Sequence, residues 1–192
     1  MSREEATVRV TPRRLLLAEA WQIATRWLSF LRDQEGVEAA DVAGSIRRAE
    51  DTVGDIDIVV GTRASKLVID TLLEGPGALS TVFRQPDRAA IAAQPNVLVE
   101  VWCASPEQYA VMLWYYTGPR SYSRLIRERA RRRFGFILDS SSIRRVGESP
   151  LPVKSELQLY ETISEPFVRP EQRTALGPGA VRLRAVEAVQ GP

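Results

Sequence analysis

The spacing of hydrophobic and polar positions predicts helices that alternate with short strands. Between Leu15 and Leu31 apolar residues recur at helical spacing, and Thr11 followed by Pro12 is typical of a helix start. We therefore expect a long core helix with Pro12 as its first residue. The same spacing predicts shorter helices over residues 65–74 and 107–116. Short apolar runs predict strands over residues 37–43, 56–60, 79–83, 89–92 and 96–102, so the pattern indicates an α+β fold.

The chain changes character after residue 105, where basic residues become frequent. Seven arginines and a single acid, Glu128, fall between residues 120 and 133. Four of these arginines recur at helical spacing and form one stripe: Arg120, Arg124, Arg127 and Arg131. Like charges at this spacing destabilise an isolated helix, so the stripe predicts an anionic partner such as a nucleic-acid backbone. We expect one unit over residues 1–105, a second over residues 106–174 and a flexible tail over residues 175–192.

Composition narrows the chemistry that the chain can perform. The 192 residues include no histidine and a single cysteine, Cys103, which excludes histidine general bases, histidine-containing metal sites and intramolecular disulfides. The remaining donors are carboxylates, hydroxyls, amides, lysine and arginine, and they suit Mg²⁺ or Mn²⁺ far better than Zn²⁺. Only two of the 26 basic residues are lysines, and arginine suits bidentate binding of phosphate.

The same composition indicates a folded protein that works away from membranes. A hydrophobic content of 44% and a charged content of 26% are ordinary for a globular chain. No apolar run approaches the roughly 20 residues of a membrane span, and residues 1–10 contain no signal-peptide core. We therefore expect a cytoplasmic protein with no membrane partner, and we expect a monomer.

Two acids form the sharpest candidate site. Asp55 and Asp57 flank Ile56, and residues i and i+2 of a strand point to the same face. Two carboxylates side by side repel each other unless a cation lies between them, so the pair predicts a divalent-metal site. Glu100 is the lone acid in the apolar strand predicted over residues 96–102 and is the candidate third ligand.

A turn ahead of these acids has the features of a phosphate site. Gly44 and Ser45 end one predicted strand and open a helical turn over residues 46–50. Glycine lets a phosphate approach the backbone, while the Ser45 hydroxyl and the free amides donate hydrogen bonds and Arg48 supplies positive charge. A phosphate clamp beside a metal clamp is the arrangement that phosphoryl transfer requires.

Three parts of the chain carry a resemblance to a known family. They are the stretch from Val42 to Val59, the turn LWYYTG at residues 113–118, and residues 152–156 together with 165–173. These parts are similar, in that order, to the palm signature, the nucleotide-pocket turn and the thumb segment of the family X DNA polymerases, the DNA polymerase beta-like nucleotidyltransferases. The resemblance covers about residues 8–173 and is to a reduced palm-plus-thumb form. It implies a mixed-sheet α+β palm over residues 1–105 and a small α+β thumb over residues 106–174.

The resemblance also implies roles for individual residues. Asp55, Asp57 and Glu100 would be the catalytic residues and would bind two Mg²⁺ ions, for which Mn²⁺ can substitute. Glu100 would also accept the proton of the primer 3′-hydroxyl. The implied nucleotide-binding residues are Gly44, Ser45, Arg48, Gly54, Tyr115, Tyr116 and Gly118. Tyr115 falls where the family excludes a ribose 2′-hydroxyl, and Arg127, within the stripe expected to bind DNA, falls where the family places an arginine against the template strand.

The chain departs from the family pattern at several of these positions. Glu100 replaces the family's third aspartate, and Pro119 replaces the serine of the nucleotide-pocket turn. The family's Gly-Ser bond in that turn is cis, and a glycine-proline bond lowers the cost of the cis isomer by about 2 kcal/mol. Arg120 and Ser123 replace the polar residues that contact the base.

We predict from the resemblance a template-directed DNA polymerase that adds nucleotides from nucleoside triphosphates to a primer 3′-hydroxyl and releases pyrophosphate. The expected substrates are primer-template or gapped DNA, in short-patch repair or small-replicon synthesis in a bacterium or for a phage. Two alternatives stay open. One is an untemplated terminal or primase-like nucleotidyltransferase that acts on DNA or RNA, and the other is a non-catalytic nucleic-acid-binding module.

Overall fold

A computed structural model of the chain describes residues 13–94 and 96–173. The strands in chain order are β1 (Leu15–Leu16), β2 (Val37–Val42), β3 (Thr52–Val53), β4 (Ile56–Thr62), β5 (Ala78–Arg84), β6 (Arg88–Ala93), β7 (Leu98–Ala104), β8 (Phe136–Leu138) and β9 (Ile143–Arg145). The α-helices are α1 (Leu17–Arg32), α2 (Gly44–Arg47), α3 (Ser65–Thr71), α4 (Pro106–Thr117), α5 (Arg120–Phe134) and α6 (Glu156–Thr162). Two short 3₁₀ segments cover Leu72–Glu74 and Pro170–Gln172. The predicted α+β class is confirmed.

A mixed sheet of five strands in the order β2-β4-β7-β6-β5 forms the centre of the first unit. The neighbours β4 and β7 are parallel, and the other pairs of this sheet are antiparallel. Ile56, Ile58 and Val60 of β4 point into a core that α1 and α3 cover. Val59 points to the opposite face, where it packs with Trp102 of β7 against α4. Because successive side chains of a strand point to opposite faces, only the residues of β4 and β7 that point away from the α1 and α3 core remain available to a site.

The first helix begins later than its sequence pattern predicts. Leu15 and Leu16 form β1 and pair with Thr52 and Val53 of β3, so their backbone groups belong to a strand ladder. The helix starts at Leu17 instead of at residue 12. The predicted helix start at residues 11 and 12 lies outside the described residues.

The second unit has its own core. Helix α4 starts with a capping box between Ser105 and Gln108, and α5 ends at Gly135, whose φ is 70°. Trp114 of α4 and Tyr160 of α6 are both buried in this core.

The division at residue 105 stays a prediction, and the expected tail lies outside the described residues. Over residues 13–94 and 96–173 no helix has the length and the apolar content that crossing a membrane requires.

Candidate active site

The sheet brings the three predicted acids to one place. Asp57 and Glu100 are register partners on the parallel strands β4 and β7, so their side chains leave the same face of the sheet. Asp55 lies two residues before Asp57. All three acids line one cleft of about 680 Å³, next to the part of the sheet that packs on α4.

Negative charge accumulates in this cleft. Burial raises the pKa of Asp57 well above its usual value, and the charges of Asp55 and Glu100 raise it further, against a lowering influence of Arg48. Burial and the charge of Asp55 also raise the pKa of Glu100, while Arg88 and Arg120 lower it. Both shifts have the sign expected of carboxylates that lack a strong cationic partner.

The acids offer the ligand type that a divalent cation needs. Carboxylate oxygens are the preferred ligands of Mg²⁺, and a cation between Asp55, Asp57 and Glu100 would relieve the repulsion that raises the pKa of Asp57. In the part of the chain that the structure describes, no group of three or more acid, histidine or cysteine side chains is already drawn together tightly enough to hold a metal ion. The donor chemistry of the three residues fits a divalent metal. Their side chains would have to move closer together to bind one.

The loop before α2 lies directly against Asp57. The Ala43 N–H donates to the carbonyl of Asp57 over 2.8 Å, and Gly44 has a φ of +53°. A Cβ atom at Gly44 would overlap the Asp57 carboxylate, so this close approach requires glycine. Within the described residues, the N–H groups of Ser45 and Ile46 donate to no protein acceptor, which leaves them available to an anion.

Arg48 connects this loop to the turn that follows α4. Its guanidinium donates to the Thr117 carbonyl over 2.6 Å and lies 3.3 Å from Glu50. The turn itself contains Gly118, with a φ of +61°, and a cis bond between Gly118 and Pro119. The two segments predicted to bind the nucleotide are therefore joined to each other.

Aromatic side chains form a wall of the cleft. The ring of Tyr116 stacks on Trp102 with centroids 4.3 Å apart, and Tyr115 meets Tyr116 edge to face. The Arg127 guanidinium lies 5.5 Å from the Tyr115 ring centre and donates to the Leu138 carbonyl over 2.6 Å. Arg127 thereby links the aromatic wall to β8.

The arginines of α5 divide into two sets. Arg120, Arg124 and Arg127 line the acidic cleft, and Arg131 lines a neighbouring groove together with Arg124 and Arg127. The arginines outside this stripe pair with acids: Arg129 and Arg133 with the buried Glu165, and Arg132 with Glu128. The predicted stripe is the set that faces the clefts, and Ile126 and Ala130 pack into the core on the other side of the helix.

Two cleft residues were missed by reasoning from the sequence, and six predicted site residues are not among those that line the cleft: Gly44, Ser45, Arg48, Gly54, Gly118 and Arg131. Arg88 and Trp102 line the cleft because β6 pairs with β7, with Arg88 opposite Trp102. This antiparallel register is set by tertiary structure and leaves no local signal in the sequence. The structure does not bring Gly54 to the cleft, and the atom nearest to a Cβ built there belongs to Arg14.

Parts of the chain are similar to known proteins. A family model described as DNA polymerase beta thumb matches residues 112–174. The DNA polymerase/3′-5′ exonuclease PolX of Bacillus subtilis (strain 168) is 25% identical to the chain over 165 residues, which cover 84% of this chain and 29% of that relative. The chain thus spans less than a third of the length of this curated relative. These matches confirm the polymerase beta-like fold predicted from the sequence.

Proposed function

We propose that the chain, which is similar to family X DNA polymerases, is a metal-dependent nucleotidyltransferase that extends a primer 3′-hydroxyl on primer-template or gapped DNA. The observation that carries the proposal is the register of β4 and β7, which pairs Asp57 with Glu100 directly beside the Gly44 loop. Residues 1–105 would be the palm and residues 106–174 the thumb. The match to residues 112–174 supports the second assignment.

In this proposal each group of residues has a separate task. Asp55, Asp57 and Glu100 would hold divalent metal ions, which when bound neutralise the triphosphate and make the 3′-hydroxyl more acidic. The backbone N–H groups of Ser45 and Ile46 bind phosphate oxygens with Arg48. Glu100 takes up the primer 3′-hydroxyl proton at its carboxylate. Tyr115 and Tyr116 form the wall against which the nucleotide is placed.

The α5 stripe supplies the grip on DNA. Arg120, Arg124, Arg127 and Arg131 line two adjoining clefts, a distribution that suits the successive phosphates of a nucleic-acid backbone. We propose gap filling over short patches in the cytoplasm of a bacterial cell as the task; the bacterial source of the relative supports the bacterial setting.

Primer extension with single nucleotides tests this function. The chain is offered each nucleotide in turn on gapped, recessed and unpaired DNA ends, in Mg²⁺ or Mn²⁺. We expect incorporation that follows the template base, and we expect Asp57→Asn to lower its rate by about a thousandfold. The control variant Asp33→Asn removes an exposed carboxylate at the end of α1 and keeps full activity. Equal incorporation on the unpaired strand would favour the terminal transferase, and DNA binding without incorporation would favour the non-catalytic module.

A further inference from the structure

Within the described residues, Arg88 is the one guanidinium of the acidic cleft that comes from the sheet itself. It opens β6 and is the register partner of Trp102, which lies two residues after Glu100 on β7. Register partners share a face, as do residues i and i+2 of a strand, so Arg88 and Glu100 leave the sheet on the same side and are diagonal neighbours. Arg88 is exposed and lines the same cleft as the three acids.

The neighbours that orient Arg88 form no ion pair with it. Its Nε donates to the Gln85 side chain over 2.7 Å, and its guanidinium lies 5.5 Å from the centre of the Phe83 ring. Within the described residues no carboxylate lies within ion-pair distance of it, although its charge lowers the pKa of Glu100 from farther away. Asp87 lines a smaller cleft and not the acidic one. An exposed guanidinium that is oriented by its neighbours and forms no ion pair can bind an anion.

The order of strands places Arg88 relative to the reacting groups. The strand order sets the sequence of these groups across the sheet. Gly44 lies at one end, followed by Asp57 on β4, Glu100 on β7 and Arg88 on β6. In the function proposed above, the triphosphate binds at the Gly44 end and the primer 3′-hydroxyl reaches Glu100. The sugar-phosphate chain behind that hydroxyl therefore lies on the far side of Glu100, where Arg88 stands.

We propose that Arg88 binds the last internucleotide phosphate of the primer strand and so positions the 3′-hydroxyl beside Glu100. This inference rests on the function proposed above, because it takes the primer end as the ligand of the cleft. Arg88 acts here as a positioning residue, since its guanidinium touches the primer backbone and none of the reacting atoms.

A cycle that combines a protein change with a DNA change tests the contact. Binding of a recessed primer-template is measured by fluorescence anisotropy, without nucleotide, for the wild-type chain and Arg88→Gln. The primer carries either a normal phosphodiester or a neutral methylphosphonate at its last linkage. We expect Arg88→Gln to weaken binding of the normal primer about tenfold and to have no further effect on the methylphosphonate primer. Arg88→Lys recovers part of the loss, because it restores the charge without the bidentate geometry.

Matched controls separate this contact from a general effect of charge. Arg84→Gln removes an arginine from the same hairpin, where it pairs with Asp70, and we expect it to leave binding unchanged. A methylphosphonate five linkages upstream keeps the full effect of Arg88→Gln. Equal losses on the normal and the methylphosphonate primer, or an Arg84→Gln effect as large as that of Arg88→Gln, would overturn the proposal. Since the readout is binding, failure of this contact is distinguished from failure of incorporation in the Asp57 experiment.

Discussion

At the scale of single residues, the lack of a side chain at Gly44 leaves room for the Asp57 carboxylate in the cleft. A methyl group there would occupy the volume of the Asp57 carboxylate, and the φ of +53° adds a backbone cost for any other residue. We expect Gly44→Ala to reduce nucleotide incorporation by about a hundredfold or more, since small displacements of catalytic groups have effects of that size. Primer-extension rates measure the loss.

The control for this change is Gly147→Ala. Gly147 also has a positive φ, +78°, but no atom lies within 4 Å of a Cβ built on it. This variant therefore isolates the backbone cost, which we expect to be about 1 kcal/mol in chemical denaturation with activity retained. If both variants lost activity alike, overlap with Asp57 would not be the cause.

Cys103 offers a probe of the strand that carries Glu100. Burial raises the pKa of the Cys103 thiol to about 12, and the negative charge of Asp87 adds to that shift. At pH 8 the thiol is therefore almost entirely protonated, and we expect iodoacetamide to label it at least about a hundred times more slowly than an exposed cysteine. Mass spectrometry follows the labelling, and denatured protein provides the fast reference. Rapid labelling of the folded chain would mean that β7 opens readily.

At the scale of elements, Asp139 organises the connection between β8 and β9. Burial raises its pKa, but hydrogen bonds from Arg144 and from the backbone N–H groups of Ser141 and Ser142 outweigh burial and lower the pKa to about 2. A carboxyl whose pKa is depressed in the folded state stabilises the fold above its unfolded pKa, and that contribution is lost as pH falls from about 4 to about 2.

The corresponding variant is Asp139→Asn, with urea midpoints measured across this pH range. We expect wild type to be more stable than the variant at pH 6 and the difference to shrink steadily towards pH 2. A difference that stays constant across the range would show that the carboxylate charge contributes nothing to the connection.

The arginines of α5 make a second prediction at this scale. Arg131 lines the groove beside the cleft, whereas the adjacent Arg132 pairs with Glu128. We expect Arg131→Gln to weaken duplex DNA binding about fivefold and to lower the slope of log K against log salt by about 1, as loss of one phosphate contact does. Arg132→Gln carries the same change of charge and is expected to have a much smaller effect. Equal effects would assign the binding to net charge alone.

Local patterns predicted most of the elements, and the deviations have tertiary causes. The apolar runs predicted β2, β4 and β7, and with them the acids that the cleft contains. The pattern was wrong at Leu15 and Leu16, because their strand partner lies more than 35 residues away in the chain. The charge imbalance of α5 also looked larger than it is, since Glu165 neutralises part of it from a distant segment.

At the scale of the whole molecule, Glu156 joins parts of the chain that are distant in sequence. Its buried carboxylate accepts from Arg47 at the end of α2 over 2.5 Å and from the fully buried Arg173 over 3.0 Å. Arg47 also donates to Thr117 beside the nucleotide-pocket turn. One network of ion pairs and hydrogen bonds therefore joins the end of α2, the end of α4 and the last described residue.

Removing the central charge of this network should be costly. We expect Glu156→Gln to lower the free energy of unfolding by about 3–5 kcal/mol, because it leaves two arginines without their buried partner. Urea denaturation measures the change. Glu161→Gln, an exposed position on the same helix, is the control and is expected to stay within about 0.5 kcal/mol of wild type. A small effect at both positions would show that the charge of Glu156 contributes little to stability.

The burial of Arg173 sets a lower limit on how far the chain can be shortened for crystallisation. Its guanidinium donates to the Val168 carbonyl as well as to Glu156, and it lies between the rings of Tyr122 and Tyr160. A truncated protein that stops at residue 172 would lose this side chain from the interior and leave a cavity lined by an acid and two phenols. Fragments that retain residue 173 preserve that interior, so shortened chains should end at that residue or later.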